Sequence, residues 1–269
     1  MKKIFYLLGA FILFAGCSKD ETGTPPVTVP ADDVRTVFLK EIVAQSLPNP
    51  YYRFVYDTAG YVKQAAFASN LAVYDVEYAS KRVKKLTNNR NGHLLLYNYT
   101  GTHVTRIDEF TLANTKIYSY EFSYNTMGKL VAIVWKEFFD DPAGIVSKKL
   151  TFGYYTDGNL SILKNYLANN GALELTITKE FSHYDDKQNV DDFYMMADFF
   201  DSFLFLPQVK LQQNNPGKER ITGAVNDFEI TYTWEFSNNL PVKKVIDMRQ
   251  VRGSQAGQVK RFTHQFSYY

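Results

Sequence analysis

Apolar and polar side chains alternate along many short stretches of the chain from about Val34 onward. In residues 117 to 124, tyrosine and phenylalanine occupy every second position, with serine and glutamate between them. Residues 173 to 181 and 228 to 236 follow the same pattern. Because successive side chains of a β-strand point to opposite faces of a sheet, this period predicts antiparallel strands with one apolar face and one face in water.

A tyrosine motif recurs along these stretches, most completely in Phe54 to Val62, Phe122 to Leu130 and Phe152 to Leu160. Each of these segments has a phenylalanine two residues before a tyrosine, a glycine four residues after it and an aliphatic residue six after it. The Asp or Asn that often follows the tyrosine can accept hydrogen bonds from the backbone ahead, and glycine supplies the positive φ of a turn. The motif therefore predicts hairpins built on an internal repeat. Weaker copies begin near Tyr78, Tyr99, Tyr184 and Phe236.

The N-terminus has a different character. Two lysines precede an apolar segment at residues 4 to 14, and two small residues follow it before Cys17, the single cysteine. The apolar segment is shorter than the about 20 residues that a membrane-spanning helix needs, so it predicts a signal peptide at residues 1–16 that is removed on export. The run from Phe14 to Cys17 resembles the lipobox of bacterial lipoproteins, whose usual form has leucine in place of Phe14. The resemblance implies that Cys17 carries the lipid.

The four residues after the cysteine resemble the acidic tag with which many Bacteroidetes lipoproteins reach the outer face of the outer membrane: Ser18, Lys19, Asp20 and Glu21. A solvated start of the linker is the alternative interpretation. Residues 22 to 30 are rich in Pro, Gly and Thr and predict an extended tether. The chain thus divides into the signal peptide at 1–16, a lipidated tether at 17–33 and one β domain at 34–269. We expect it to be lipid-anchored at the outer membrane, facing the cell exterior.

The charge gives no reason to expect a nucleic-acid partner. The chain has 30 Lys and Arg against 28 Asp and Glu, and removal of Lys2 and Lys3 with the signal leaves 28 of each. With one cysteine, the mature chain has no internal disulfide and no thiolate metal site. Its stability must therefore come from a packed core.

The lipobox, the acidic tag, the length and the recurring motif together resemble small Bacteroidetes lipoproteins of unknown function with a porin-like β fold. The motif itself resembles degenerate tyrosine-aspartate repeats of the Rhs family. The resemblance implies an all-β antiparallel meander of about 12–16 strands, curled into a barrel or a partly open barrel. It implies no activity.

The segment from Asp191 to Leu206 breaks the alternation. Acidic residues at its start and Pro207 after its end are typical of helix boundaries, so the sequence predicts one short helix near residues 192–206. A large sheet encloses more volume than its own side chains fill, and this segment would help to fill it. We expect a connector packed on the sheet or, alternatively, a plug over a cavity.

No catalytic or metal-binding motif is present, and the sequence predicts no catalytic residue, no metal and no cofactor. The histidines stand singly, at His93, His103, His183 and His264. Acidic pairs occur at Asp140-Asp141, Asp185-Asp186 and Asp191-Asp192. The carboxylates of a glycosidase must face each other at about 5–10 Å across a cleft, which adjacent residues do not predict. Asp57-Thr58-Ala59 resembles a sequon that some Bacteroidetes glycosylate, although a turn explains these residues equally well.

Four functions remain open at this point. The leading hypothesis is a non-enzymatic binding module, because 20 Tyr and 21 Phe are more rings than repeat packing requires and the remainder can line a lumen or stack on sugars. Its ligand would be a lipid, a small apolar molecule or a glycan. The alternatives are an accessory that joins an outer-membrane complex through a sheet edge, a hydrolase with carboxylates in a cavity mouth, and an integral barrel. The last is suggested by the aromatic ending at residues 266 to 269 and would have a polar lumen.

Overall fold

The computed structural model describes Asp33, residues 36–191 and residues 202–269. The strands in chain order are β1 (Leu39–Ala44), β2 (Tyr52–Tyr56), β3 (Val62–Phe67), β4 (Ala72–Ala79), β5 (Arg82–Asn88), β6 (Leu94–Thr100), β7 (His103–Phe110), β8 (Lys116–Tyr124), β9 (Leu130–Glu137), β10 (Ile145–Tyr154), β11 (Leu160–Asn169), β12 (Ala172–Ser182), β13 (Lys218–Gly223), β14 (Asp227–Ser237), β15 (Leu240–Arg252) and β16 (Val259–Tyr268).

The 16 strands form one antiparallel meander in which each strand pairs with its neighbours in sequence. β1 also pairs with β16, where Ile42 lies opposite Phe266, so the sheet closes on itself. The predicted all-β meander is confirmed, and of the two architectures expected from the sequence the structure has the closed barrel.

The predicted helix near residues 192–206 lies mostly outside the described residues. Its last part, from Ser202 to Leu206, is irregular, and the described ranges contain no helix at all. The backbone here bonds to the barrel wall, since the Phe203 amide donates to the Tyr74 hydroxyl at 3.3 Å and the Tyr97 hydroxyl donates to the Phe205 carbonyl at 2.9 Å. Tyrosine hydroxyls thus satisfy groups that a helix would pair internally. Nowhere in the described residues is there a helix long and apolar enough to cross a bilayer.

The apolar face of the sheet points into the barrel. One hydrophobic cluster joins residues from distant strands, including the fully buried Tyr52 of β2, Tyr120 of β8 and Leu163 of β11. Each large apolar side chain buried in this way contributes about 1.5–3 kcal/mol to folding. The alternation seen in the sequence is therefore the alternation between the lumen and the outer face.

The outer face carries charged and hydroxyl side chains. Opposite charges on neighbouring strands pair across it at 2.6–2.9 Å in Glu41–Arg53, Glu77–Lys85, Glu121–Lys136, Glu235–Lys243 and Asp247–Arg261. Each such exposed pair contributes only about 0–1 kcal/mol. Their joint consequence is that the outside of the wall has the chemistry of a water-exposed surface.

Tyrosine hydroxyls link neighbouring hairpins at one end of the barrel, named here the tyrosine rim. Each donates to a backbone carbonyl of an earlier strand at 2.6–3.0 Å, in Tyr56–Leu39, Tyr78–Val62, Tyr99–Val83, Tyr154–Leu130, Tyr184–Leu160 and Tyr268–Pro241. At Tyr56, Tyr78, Tyr99 and Tyr154 a β-bulge immediately precedes the tyrosine. A bulge bends its strand and re-aims the side chain, which brings the hydroxyl to the next hairpin.

The turns that follow these tyrosines use the side-chain chemistry that the motif predicts. In the first segment, Asp57 Oδ1 accepts hydrogen bonds from the amides of Ala59 at 2.9 Å and Tyr61 at 3.0 Å. Gly60 has φ of 89°, a conformation that a residue with a Cβ adopts only under strain. Asn125 accepts the equivalent pair of bonds in the second segment.

The rim hydrogen bonds predict a measurable loss of stability on removal of a single hydroxyl. Burial raises the pKa of Tyr99, so its hydroxyl remains a protonated donor to Val83. We expect Tyr99→Phe to lower the free energy of unfolding by about 1 kcal/mol, because the ring stays and one carbonyl loses its partner. Urea unfolding measures this. Tyr166→Phe is the matched control, because the Tyr166 hydroxyl makes no hydrogen bond within the described part of the chain. Equal stability of both variants would show that the rim bonds contribute nothing.

Candidate functional site

The lumen is filled unevenly. Along β2 to β11 the inward side chains pack tightly, and Leu86, Ile107 and Ile133 are wholly inaccessible to solvent. Along β12 to β16 many inward side chains are only half-buried, among them Ile221 and Met248. One half of the barrel is thus a packed core, and the other half keeps open space.

This open half contains a cavity of about 230 Å³. Five apolar side chains of the wall line it, namely Phe181, Ile221, Ile230, Ile246 and Met248. The segment between β12 and β13 covers it at the tyrosine rim, with Asn189, Gln212 and Pro216. The remaining lining residues are the aromatic Tyr232 and Trp234 and four charged residues on or beside the wall, which are Lys179, Asp191, Glu219 and Lys244.

Lys244 and Asp191 form a buried ion pair at the covered end of the cavity. Lys244 Nζ lies 2.6 Å from Asp191 Oδ2, and both side chains are less than a tenth exposed. The ammonium group also lies 5.1 Å from the centre of the Trp234 ring and within 6 Å of the rings of Tyr232 and Phe266. Aromatic faces attract a cation most strongly when it is desolvated, as here. The pair therefore joins the segment between β12 and β13 to the wall through a charged contact enclosed by rings.

A second polar group lies on the wall of the cavity. Glu219 of β13 accepts a hydrogen bond from the Tyr232 hydroxyl of β14, and Lys179 Nζ of β12 lies 3.8 Å from the same carboxylate. Because these residues come from three neighbouring strands, their positions are fixed by the sheet register. The cavity thus combines an apolar wall with preorganised polar groups, which is the usual composition of a small-molecule site.

His264 of β16 lies directly opposite Lys244 in the sheet and on the inward face, as its alternation with Phe262 and Phe266 predicts. Its side chain is buried. Burial, and secondarily the charge of Lys244, lower the pKa of His264 to about 3. The imidazole is therefore neutral at physiological pH.

Glu109 holds the irregular segment from Ser202 in the packed half of the lumen. Its carboxylate accepts hydrogen bonds from Ser202 Oγ at 2.8 Å and from the Tyr120 hydroxyl at 3.1 Å, and it lies 2.9 Å from His93 Nδ1. The serine bonds to the carboxylate and not to the imidazole, so the arrangement lacks the base contact that activates a serine nucleophile. It is an anchor between the segment and the wall.

The lysine pair Lys243-Lys244 within a strand predicts two side chains that solvate the outer face, which is wrong for Lys244, because its side chain is buried beside the cavity. The sequence did not single out Lys179, Glu219 or Glu109. Each is a charged residue at a position where the alternation along its strand places the side chain on the inward face. Lys179, which lies between Ile177 and Phe181 on that face, is an example. A charged residue in the apolar phase is the signal that identifies such sites. Adjacent acidic residues between strands predict solvated turns, and this prediction is wrong for Asp191, because the fold brings it to a buried lysine from a strand far along the chain.

The other candidate residues do not converge on a site. Cys17 and the four tag residues lie outside the described residues, as does Asp192. Asp140 and Asp186 are exposed, and Asp185 accepts hydrogen bonds from the backbone amides of Lys187 and Asn215. His103 packs its ring against Tyr124 at the tyrosine rim. No group of three or more His, Cys, Asp and Glu within the described ranges has a geometry that holds a metal ion.

The fold is shared with solved structures, among them two porin-like proteins. A porin-like protein from Bacteroides uniformis superimposes with a TM-score of 0.58 at 16% identity, over 81% of this chain and 89% of that chain. A porin-like protein from Bacteroides vulgatus gives a TM-score of 0.53 at 11% identity, over 87% of this chain and 99% of that chain. No family model matches the sequence, and no curated protein matches it significantly. At these identities the likeness establishes the fold alone.

The depressed pKa of His264 predicts a loss of stability in acid. The unfolded chain binds a proton at this residue below its ordinary pKa of about 6.5, and the folded chain does not until about pH 3. Stability is therefore present above that window and falls as the pH falls through it. Between pH 7 and 4.5 we expect wild type to lose about 2–3 kcal/mol more than His264→Gln in urea unfolding. His183→Gln, at an exposed site, is the control and should fall as wild type does. Parallel curves for wild type and His264→Gln would contradict the assignment.

Proposed function

We propose that the protein is a non-enzymatic binding protein of the outer membrane, held by a lipid on Cys17, and that it takes a small amphipathic molecule in the open half of its lumen. The uneven filling of the barrel carries this proposal. A lumen evolved only for stability would be packed throughout, because unfilled apolar space forfeits contacts on every side.

The size and lining of the cavity support a particular class of ligand. A volume of about 230 Å³ is below the about 300–1,000 Å³ typical of sites for drug-sized ligands. It suits one ring or a short chain better than a diacyl lipid or an oligosaccharide. The apolar part would contact Ile221, Ile246 and Met248, and the polar group would lie near the Lys244–Asp191 pair.

The state of the carboxylates supports a binding role over hydrolysis. Asp191 is paired with Lys244, and Glu219 accepts from Tyr232 with Lys179 beside it. A glycosidase needs one carboxyl group to hold a proton and a second to attack or to activate water. Here the two carboxylates are bound by side chains of the protein itself, and they are not arranged as such a pair.

The chemistry of the wall supports a barrel surrounded by water. An integral outer-membrane barrel shows an apolar band to lipid and encloses a polar lumen, whereas this barrel has ion pairs outside and a hydrophobic cluster inside. Two rings of its aromatic ending also point inward, since Phe266 is buried against Trp234 and the Tyr268 hydroxyl donates to the Pro241 carbonyl. The lipobox at Phe14 to Cys17 and the porin-like neighbours favour the outer membrane as the location. We also propose that the tag at residues 18 to 21 directs the protein to the cell exterior. The relation of the tyrosine motif to Rhs-like repeats is likewise part of this proposal.

Tryptophan fluorescence tests the lumen site. Trp234 lines the cavity and Trp135 is buried in the packed half, and they are the two tryptophans of the chain. We expect hexylamine or hexanoate to change the emission of the wild-type protein, and glucose to leave it unchanged. Trp234→Phe should lose the change and Trp135→Phe, the matched control, should keep it.

A cavity-filling substitution completes the test. Ile221→Trp places a large ring in the open space, and we expect it to weaken binding of the responsive probe at least about tenfold while the fold is retained. Isothermal calorimetry measures the affinity, and circular dichroism checks the fold. If none of the probes binds, or if Ile221→Trp binds as wild type does, the lumen site is wrong.

Fractionation tests the anchor. We expect mature wild-type protein to require detergent for release from membranes and to carry an acyl mass on residue 17, and Cys17→Ser to be released as soluble protein. An integral barrel predicts the opposite for the variant, namely that it stays in carbonate-washed membranes. The same preparation of native protein, examined by mass spectrometry for co-purifying small molecules, identifies the natural ligand.

A further inference from the structure

A short stretch of β12 in the closed barrel pairs with another strand on one side only. β12 pairs with β11 along its length, from Ala172 opposite Asn169 to Glu180 opposite Ile162. On its other side, β13 pairs only with the part from Ile177 to Ser182. Residues 172 to 176 therefore have a paired neighbour on one side, and none among the described residues on the other.

The chain fixes this opening, because β13 cannot extend to cover it. Gly223, which lies opposite Ile177, donates its amide to Asn226 and so begins the turn to β14. The guanidinium group of Arg252 donates to the carbonyls of Gly223, Ala224 and Val225. The same group bonds to Asp227 at 2.7 Å through Nε. β13 is thereby held in a turn where a longer strand would have run on.

The residues of the open edge have the pattern of a strand that accepts another. Leu173 and Leu175 share one face and are 39% and 51% exposed, with Glu174 between them on the opposite face. Asn170 and Gly171 both have positive φ, which makes the tight turn that carries this hairpin. Residues 172 to 176 contain no lysine or proline, and no loop of the described structure covers them. The charge of Glu174 and the bulge at Thr176 are the features that limit non-specific pairing at this edge.

We propose that residues 172 to 176 are a docking edge for an extended segment of another protein, which adds a strand to the barrel beside β13. The unpaired amides and carbonyls of this edge can form hydrogen bonds with an extended backbone. The exposed leucines can pack against apolar side chains at alternate positions of that backbone. Glu174 is the single charged residue of this edge, so a basic residue lies opposite it in the partner. The proposal is independent of the lumen site.

A second copy of this chain fits the edge less well. A two-fold antiparallel pairing of residues 172 to 176 centred on Glu174 sets the two glutamates directly opposite each other. Like charges in directly opposed positions destabilise a strand pair. The charge of the edge therefore favours a different, basic partner.

A synthetic nine-residue peptide of alternating valine and lysine, with a fluorescent label, is the probe for this edge. We expect it to bind the mature protein and to slow amide hydrogen exchange in residues 172 to 176. Two further peptides carry N-methyl groups on the valines only or on the lysines only. An added strand donates amides to β12 from every second residue, so one of the methylated peptides should lose binding and the other should keep it.

Variants of the protein locate the contact. We expect Leu175→Asp to weaken binding at least about tenfold and Glu174→Lys to weaken it about fivefold, because each change opposes the apolar or charged complement of the peptide. Leu112→Asp is the matched control, since Leu112 is an exposed leucine in the turn between β7 and β8, and it should bind within twofold of wild type.

The proposal is overturned by any of three results. These are equal binding of both methylated peptides, unchanged exchange at residues 172 to 176, and unchanged binding by Leu175→Asp. Analytical ultracentrifugation of the protein alone tests the identity of the partner. If the protein forms a dimer that Leu175→Asp abolishes, the edge binds a second copy of this chain and the proposed partner is wrong.

Discussion

Closure of the sheet is the constraint from which the rest of the structure follows. Sixteen antiparallel strands joined end to end enclose a wide interior, and the side chains of the wall alone do not fill so large a barrel. The interior is nevertheless apolar, so empty space there loses packing energy. The chain meets this demand on one side by sending the segment around Phe203 and Phe205 into the lumen, against Tyr74 and Tyr97. Along β12 to β16 the interior is not filled in this way, and the cavity lies there.

Tyrosine suits this architecture because one side chain serves two environments. The ring packs on the apolar face, and the hydroxyl at its far end donates to a backbone carbonyl of an earlier hairpin. Phenylalanine would fill the same volume without that hydrogen bond. The same chemistry recurs deeper in the barrel, where Tyr74 and Tyr97 bond the backbone of the crossing segment and Tyr120 bonds Glu109. The high tyrosine content is thus largely explained by the fold.

The sequence predicted much of the fold because strand periodicity and turn chemistry are local. The alternation in residues 117 to 124 and the Asp57 turn need only neighbouring residues, and both are found as predicted. Closure and the Lys244–Asp191 pair depend on residues far apart in the chain, which no local pattern encodes. The irregular course from Ser202 to Leu206 has the same origin. Its backbone partners are hydroxyls on distant strands, and they replace the internal hydrogen bonds on which a helix prediction depends.

The pairing of β1 with β16 sets the order in which the chain can complete its structure. Leu39 and Tyr268 meet from opposite ends of the domain, so their contact closes a loop of nearly the whole chain and carries the largest entropic cost of any pairing in the sheet. This seam therefore forms last. Until it does, the growing sheet presents two unpaired edge strands, and the chain is most vulnerable to aggregation. Docking of the final strand removes both edges in one step, because it pairs the first and last strands of the sheet with each other.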